Sequence, residues 1–244
     1  MTEKLLTEQI KRLDDVRANY EEITENIALA AEKSGRTAQD ISFLAATKTV
    51  EPEIINYAIS LGLKKIGENR VQELLSKYDE YDLAHADLQF IGHLQKNKVR
   101  QIIGKVSMIQ SVDSIKLADE IAKQSVKNNI TTDILIEVNI GREESKSGVM
   151  KEELDELIQK ISVLEGIRIR GLMSIPPICD SKKEISKFFD DMYKLFIDIS
   201  AKKSDNVNMD FLSMGMSDDY TEAILSGANM IRVGSRLFGA RIYR

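Results

Sequence analysis

FLAATKTVEPEIINYAISLG, residues 43–62, holds a strand, a polar turn and a helix in succession, and the same unit recurs along the chain. The apolar run ISFLAAT (41–47) reads as a short buried strand. The helix pattern PEIINYAISLG (52–62) follows, with Pro52 in its first turn and Gly62 at its end. Between them stands Lys48, a charge that a sheet or barrel interior would not accept unpaired. Two readings of Lys48 are open. Either the strand stops at Thr47 and Lys48 enters solvent, as most lysines do, or its amine points into a site where, deprotonated, it can attack a carbonyl.

Upstream, Leu6, Ile10, Leu13, Val16, Tyr20, Ile23, Ile27 and Ala31 recur at helical spacing, and Ser34-Gly35 ends the pattern, predicting one long N-terminal helix. Downstream the alternation continues. The predicted strands are KKIGEN (64–69), DLQFIG (87–92), VSMIQSV (106–112), TDILIEVNI (132–140), IRIRGLMSI (167–175), MDFLSM (209–214) and MIRVGSRLFG (230–239), the last taken as strand and turn. Helical patterns lie between them at VQELLSKYDEY (71–81), NKVRQII (97–103), SIKLADEIAKQSVKNN (114–129), KEELDELIQKISVLEG (151–166), ISKFFDDMYKLFIDISAKK (185–203) and YTEAILSG (220–227). Strands joined by helical crossovers form a parallel sheet. Eight such units in 244 residues predict an α/β fold closed as a single (β/α)8 TIM barrel over residues 1–244, with an extra N-terminal helix. An open doubly wound sheet is the alternative, and it lacks a glycine-rich turn after the first strand.

Composition narrows the function. Hydrophobic residues make up 43% and charged residues 30%, ordinary values for a globular protein with ample core. A net charge of −5, with a pI near 5.3, argues against nucleic acid or an anionic membrane as main partner. The acidic N-terminus lacks a secretory pattern, no stretch has the apolar length of a membrane span, and Cys179 stands alone, so the expected location is the cytoplasm. The two histidines, His85 and His93, form no cluster of metal-binding spacing, although His93 sits where it could line a pocket.

In barrels of this kind chemistry sits at the C-terminal ends of the strands. Those ends are ATKTV (46–50), GENRVQE (67–73), FIGHLQKNK (90–98), QSVDS (110–114), VNIGREESKSG (138–148), GLMSIPP (171–177), SMGMSDDY (213–220) and IRVGSRLFG (231–239), all rich in polar residues or glycine. Ser217 in the seventh, with Gly234 and Ser235 in the eighth, suit an anion held by backbone N–H groups at a helix start. Ordinary helix capping by Ser217 or Asp218 is the plainer reading, and Asp218 and Asp219 oppose a phosphate unless they turn away from it. Arg232 lies between Ile231 and Val233, so it faces away from both and needs an acceptor inside the barrel, either a carboxylate or a ligand atom. Arg170 raises the same question less sharply.

Together ATKTV, GENRVQE, IGHLQKNK, VNIGREESKSG, GLMSIPP and LSMGMSDDYTEAILSGANMIRVGSRLFGAR resemble the pyridoxal phosphate homeostasis protein family, over almost the whole chain. That family is a barrel similar to the N-terminal domain of alanine racemase, fold type III among pyridoxal-phosphate proteins. The resemblance implies that Lys48 holds pyridoxal 5'-phosphate as a Schiff base and that Arg232 faces the pyridine nitrogen. It further implies that Ser217, Gly234 and Ser235 cradle the phosphate, with Asn69 and Met214 near the ring. An arginine at that nitrogen keeps it unprotonated and weakens the ring as an electron sink. The implied function is intracellular cofactor homeostasis: pyridoxal phosphate is buffered or delivered, with apo-enzymes as transient partners, by a monomer with no robust catalysis. The alternative is a pyridoxal-phosphate-dependent amino-acid racemase or related enzyme. Racemases of this fold take a second acid/base, a tyrosine, from a partner's further domain, which is not expected here; Tyr220 or Tyr243 could be offered as substitutes, but nothing in the sequence places either opposite Lys48.

Overall fold

A computed structural model of the chain describes residues 3–239. Eight parallel strands close in chain order: β1 Ser42–Ala46, β2 Lys65–Glu68, β3 Asp87–Phe90, β4 Met108–Val112, β5 Thr132–Val138, β6 Ile167–Ser174, β7 Val207–Ser213 and β8 Met230–Val233, with β1 paired to β8. The helices are α1 Glu3–Lys33, α2 Pro52–Ser60, α3 Val71–Lys77, α4 Val99–Ile102, α5 Ile115–Lys127, α6 Leu154–Ser162, α7 Lys182–Ala201, α8 Tyr220–Leu225 and α9 Ser235–Phe238. The architecture is the (β/α)8 barrel with an additional N-terminal helix, as the alternation requires, and not the open doubly wound sheet.

Burial follows the two periods. On α1, Val16, Ile23, Ile27, Ala30 and Ala31 are buried against the barrel, while Ile10 is half exposed and leaves the predicted stripe. α1 packs chiefly on α8, α9 and α2, so it covers the seam where the barrel closes. Along β8 the sides alternate: Ile231 and Val233 join the apolar layer under the helices, whereas Met230 and Arg232 turn into the lumen. The lumen is not uniformly apolar. Met108, Leu135 and Met173 form a small apolar group of their own, flanked by Ile175 and Phe211. Beside it, Gln110 of β4 joins Gln89 of β3 at 2.6 Å and Ser213 of β7 at 2.7 Å, a polar chain crossing the interior.

Local departures from the sequence reading have physical causes. The helix expected at 97–103 shrinks to a 3-10 turn, Lys96–Lys98, and the four residues of α4, ended by Gly104 at φ 79°. The helix at 71–81 likewise stops at Lys77 and tightens into a 3-10 turn, Tyr78–Glu80. The segment after Val233, expected as a turn, is the short helix α9, which places Gly234 at a helix start.

Gly171 permits the irregularity that lets β6 pair on both sides. The register between β6 and β7 shifts between Ile169 and Gly171. Gly171 has φ 146°, and a Cβ there would lie 1.8 Å from the Phe211 carbonyl oxygen. Gly171→Ala should therefore destabilise the protein by about 3 kcal/mol, read as a lower urea midpoint. An unchanged midpoint would mean that β7 moves aside at no cost.

Candidate functional site

At the C-terminal edge of the strands, where β7, β8 and β1 meet under α1, a cleft of about 510 Å³ opens. Lys48, Ser217, Arg232, Gly234 and Ser235 all line it, although they come from opposite ends of the chain. The register of the closing pair, Ala45 opposite Val233, brings the end of β1 beside Gly234. Asn69 and Met214 are not among the lining residues. Met214 is wholly buried in the apolar layer, with its N–H given to the Met230 carbonyl at 3.1 Å. Asn69 lies at the end of β2, its side-chain oxygen buried with no hydrogen-bond partner among the described residues.

Lys48 sits in the turn that follows β1 and is half-buried. Alternation carries Ala46 and Lys48 to the cleft and turns Thr47 into the protein, where its hydroxyl donates to the Glu68 carboxylate at 2.8 Å. The next residue, Thr49, has φ 64°, a left-handed conformation that costs a β-branched residue on the order of 1–2 kcal/mol.

Arg232 is 4% exposed. It donates to the Ser213 hydroxyl at 2.6 Å and to the Ser174 carbonyl at 2.8 Å, both neutral acceptors. Burial lowers its pKa to about 10, with Glu137 and Asp219 opposing, so the guanidinium stays charged at neutral pH. Glu137 reaches inward from β5, its pKa raised to about 7 by burial first and then by Asp113, against the pull of Arg232. Glu137 is a residue the sequence reading missed. It stands between Ile136 and Val138 just as Arg232 stands between Ile231 and Val233, so the same alternation would have found it.

The anion corner is rich in donors. The Ser217 hydroxyl receives the Gly234 N–H at 3.2 Å, the Arg236 N–H at 3.3 Å and the Ser235 hydroxyl at 3.0 Å. A Cβ on Gly234 would stand 3.2 Å from the Ala46 carbonyl oxygen, so a side chain there would press on the end of β1. Asp219 turns back onto its own loop and accepts the Met216 N–H, while Asp218 is exposed at the rim. Of the two acids that opposed a phosphate, Asp219 is thereby accounted for, while Asp218 stays on the cleft wall. A phosphate, an aldehyde-bearing ring and a ring nitrogen would meet, in turn, this corner, Lys48 and Arg232, a donor set that fits pyridoxal phosphate. Beside Arg232 the Ser174 hydroxyl is also buried without a partner among the described residues.

At the mouth, Arg12 of α1 pairs with Glu51 at 2.7 Å, and Phe238 closes the side. Arg12 lies 36 positions before Lys48 in a helix, and nothing local to it signals the cleft. His93 is exposed, 3.1 Å from the Ser147 hydroxyl, and stands outside the cleft. His85 is exposed and paired with Asp82 at 2.8 Å. Cys179 lines a neighbouring hollow of about 290 Å³ with its thiol directed at the Pro177 carbonyl. Arg170 is engaged by Asp133 and Asp210. Among the described residues no group of His, Cys, Asp and Glu could hold a metal ion, and no helix is long and apolar enough to cross a membrane.

Residues 13–242 match the family of the alanine racemase N-terminal domain. The chain is 43% identical to a pyridoxal phosphate homeostasis protein of Aquifex aeolicus, over 91% of this chain and 96% of that protein. The chain belongs to the pyridoxal phosphate homeostasis protein family. It is 34% identical to the Escherichia coli K12 member, over 95% of this chain and 99% of the other. Among solved structures, an unknown protein from Bifidobacterium adolescentis superposes with a TM-score of 0.89 at 34% identity, covering 93% of this chain and 96% of its own. PipY of Synechococcus elongatus, solved with PLP bound, gives a TM-score of 0.77 at 29% identity, covering 87% and 100%. An alanine racemase of Clostridium difficile, at 18% identity and a TM-score of 0.72, shares the fold over 92% of this chain and 56% of the racemase.

Glu137 should give the protein a pH-dependent stability. Its carboxyl keeps its proton to about pH 7 in the folded state, against about 4.3 in the unfolded chain. The resulting stabilisation is complete below the unfolded value and is lost as pH rises through 7. Between pH 5 and pH 8 the unfolding free energy of the cofactor-free parent, minus that of Glu137→Gln, should fall by on the order of 2–3 kcal/mol in urea titrations. A flat difference would place the Glu137 carboxyl in water.

Proposed function

We propose that this protein holds pyridoxal 5'-phosphate through Lys48, limits the free concentration of its reactive aldehyde and passes it on to apo-enzymes. The observation that carries this reading is one cleft holding a lysine amine, a donor-rich corner at Ser217, Gly234 and Ser235, and a buried, charged Arg232. Its volume of about 510 Å³ lies within the range of small-cofactor sites. The cofactor, when bound, supplies an aldehyde that condenses reversibly with an amine. Lys48 provides that amine, the corner binds the phosphate, and Arg232 donates to the ring nitrogen while leaving it unprotonated. Reversibility is what delivery requires, since a competing amine can displace Lys48.

The alternative, an amino-acid racemase or related enzyme, needs a second acid/base across the ring. Among the described cleft residues there is no tyrosine, histidine or cysteine. Tyr220 is buried against α1 and is not among the lining residues, and Tyr243 lies outside the described residues. The names of the relatives, homeostasis proteins and not enzymes, support the same side. We further take residues 1–244 as one functional unit acting as a cytoplasmic monomer, with Asn69 and Met214 supporting the site from behind its walls.

Borohydride reduction of the loaded protein followed by peptide mapping should place the adduct on Lys48, and Lys48→Ala should abolish the visible absorbance of the Schiff base while retaining weak binding through the phosphate corner. An adduct on Lys96 or Lys146 would move the site elsewhere. Arg232→Ala should weaken cofactor retention by on the order of 2–5 kcal/mol, because a desolvated charge-assisted donor is lost. Incubating the loaded protein with an apo-enzyme dependent on pyridoxal phosphate should restore that enzyme's activity. Turnover of an amino acid by the protein alone at roughly 1 s⁻¹ or faster would favour the racemase reading instead.

A further inference from the structure

Lys48 is gripped at the peptide group on each side of it. The Thr47 carbonyl, just before it, accepts the Lys77 ammonium at 3.1 Å. The Thr49 N–H, just after it, donates to the Glu73 carboxylate. Glu73 and Lys77 are one turn apart on α3 and bond to each other at 2.6 Å. Lys77 also lies 3.1 Å from Glu68 Oε1 at the end of β2. That same oxygen receives the Thr47 hydroxyl at 2.8 Å and the Tyr81 phenol at 2.7 Å. Glu68 is wholly buried, and burial beside it holds the Tyr81 phenol well above the usual range, so that it remains a donor.

An ion pair one turn apart on a helix surface does little beyond modestly supporting the helix. Here the pair faces inward, with side-chain exposures of 12% and 18%, and each member also bonds to the backbone of the Lys48 turn, Lys77 bonding to Glu68 besides. The Thr47 carbonyl also accepts the Val50 N–H at 3.1 Å, so Lys77 adds a second, charged donor to a turn already closed, while Glu73 is the acceptor for the Thr49 N–H. Both contacts are made by residues of α3, and Lys48 lines the opposite, cleft side of the turn. The grip also holds Thr49 at its left-handed φ of 64°, a conformation that persists only where the surroundings over-determine it.

We infer that Glu73 and Lys77, anchored by the buried Glu68, are positioning residues that aim the Lys48 amine into the cleft. The inference rests on the reading of Lys48 as the cofactor-bearing lysine. None of the three touches the cleft; they act through the backbone on either side of Lys48. Their effect should fall on the rate at which the amine meets the aldehyde, and not on recognition of phosphate or ring.

The test measures two quantities on each full-length variant: the rate of Schiff-base formation with pyridoxal 5'-phosphate, followed by its visible absorbance, and the affinity for 4'-deoxypyridoxine 5'-phosphate, which has no aldehyde. Glu73→Ala should slow Schiff-base formation by about tenfold to a hundredfold, the effect expected of a small misplacement, and leave the affinity for the deoxy analogue unchanged. Glu73→Gln, which keeps an acceptor for the Thr49 N–H, should recover most of the rate. Lys77→Met should slow formation in the same way, and it decides the matter if Glu73→Ala does not fold. Parental rates in a cooperatively folded Lys77→Met or Glu73→Ala would overturn the inference, as would equal losses in rate and in analogue affinity. A borohydride adduct on another lysine in the parent protein would instead overturn the reading of Lys48 on which the inference rests.

Discussion

The pairing of β1 with β8 is the contact on which the rest of the site depends. It joins residues 42–45 to residues 230–233, and by doing so sets Lys48 beside Gly234 and Ser235. Without that closure the amine and the anion corner would lie at opposite edges of an open sheet. α1 reinforces the seam by packing on α8 and α9, and its Arg12 reaches the mouth of the cleft. The N-terminal helix is therefore part of the site's wall as well as of the fold.

A charge inside a barrel is costly unless its surroundings accept it. Arg232 is accommodated by a hydroxyl, a carbonyl and two carboxylates of uneven strength, one of them, Glu137, half-protonated near neutrality. Incomplete neutralisation leaves the guanidinium able to engage a ligand atom. A fully paired arginine would gain little from a neutral acceptor on a ligand.

Most of the fold could be read from the sequence because it is periodic. The strand at 132–140 and the helix at 114–129 carry strong local patterns, and eight repeats of the unit leave little choice of topology. The candidate site was legible where strand alternation or a glycine-rich turn marked it, at Lys48, Arg232, Ser217, Gly234 and Ser235. It was illegible where position depends on long-range packing. Arg12 looks like any exposed helix arginine, and Glu73 and Lys77 look like a surface pair until the structure turns them toward Thr47 and Thr49. Met214, next to Gly215 in sequence, faces the apolar layer because Ser213 takes the lumen side of β7. The short helix α9 eluded the periodic reading because four residues are too few to show a period.

The polar chain in the lumen has a direction. Arg232 donates to Ser213, Ser213 to Gln110, Gln110 to Gln89 and Gln89 to Asp87, so every proton in the row points away from the cleft. An arginine can only donate, and that choice propagates: each hydroxyl and amide below it must accept on its upper side and give on its lower side. A carboxylate in place of Arg232 would require the whole row to reverse, ending with two acceptors facing each other at Gln89 and Asp87. The identity of the group at the cleft is thus written into the orientation of side chains at the far end of the barrel, and the two ends are constrained to change together.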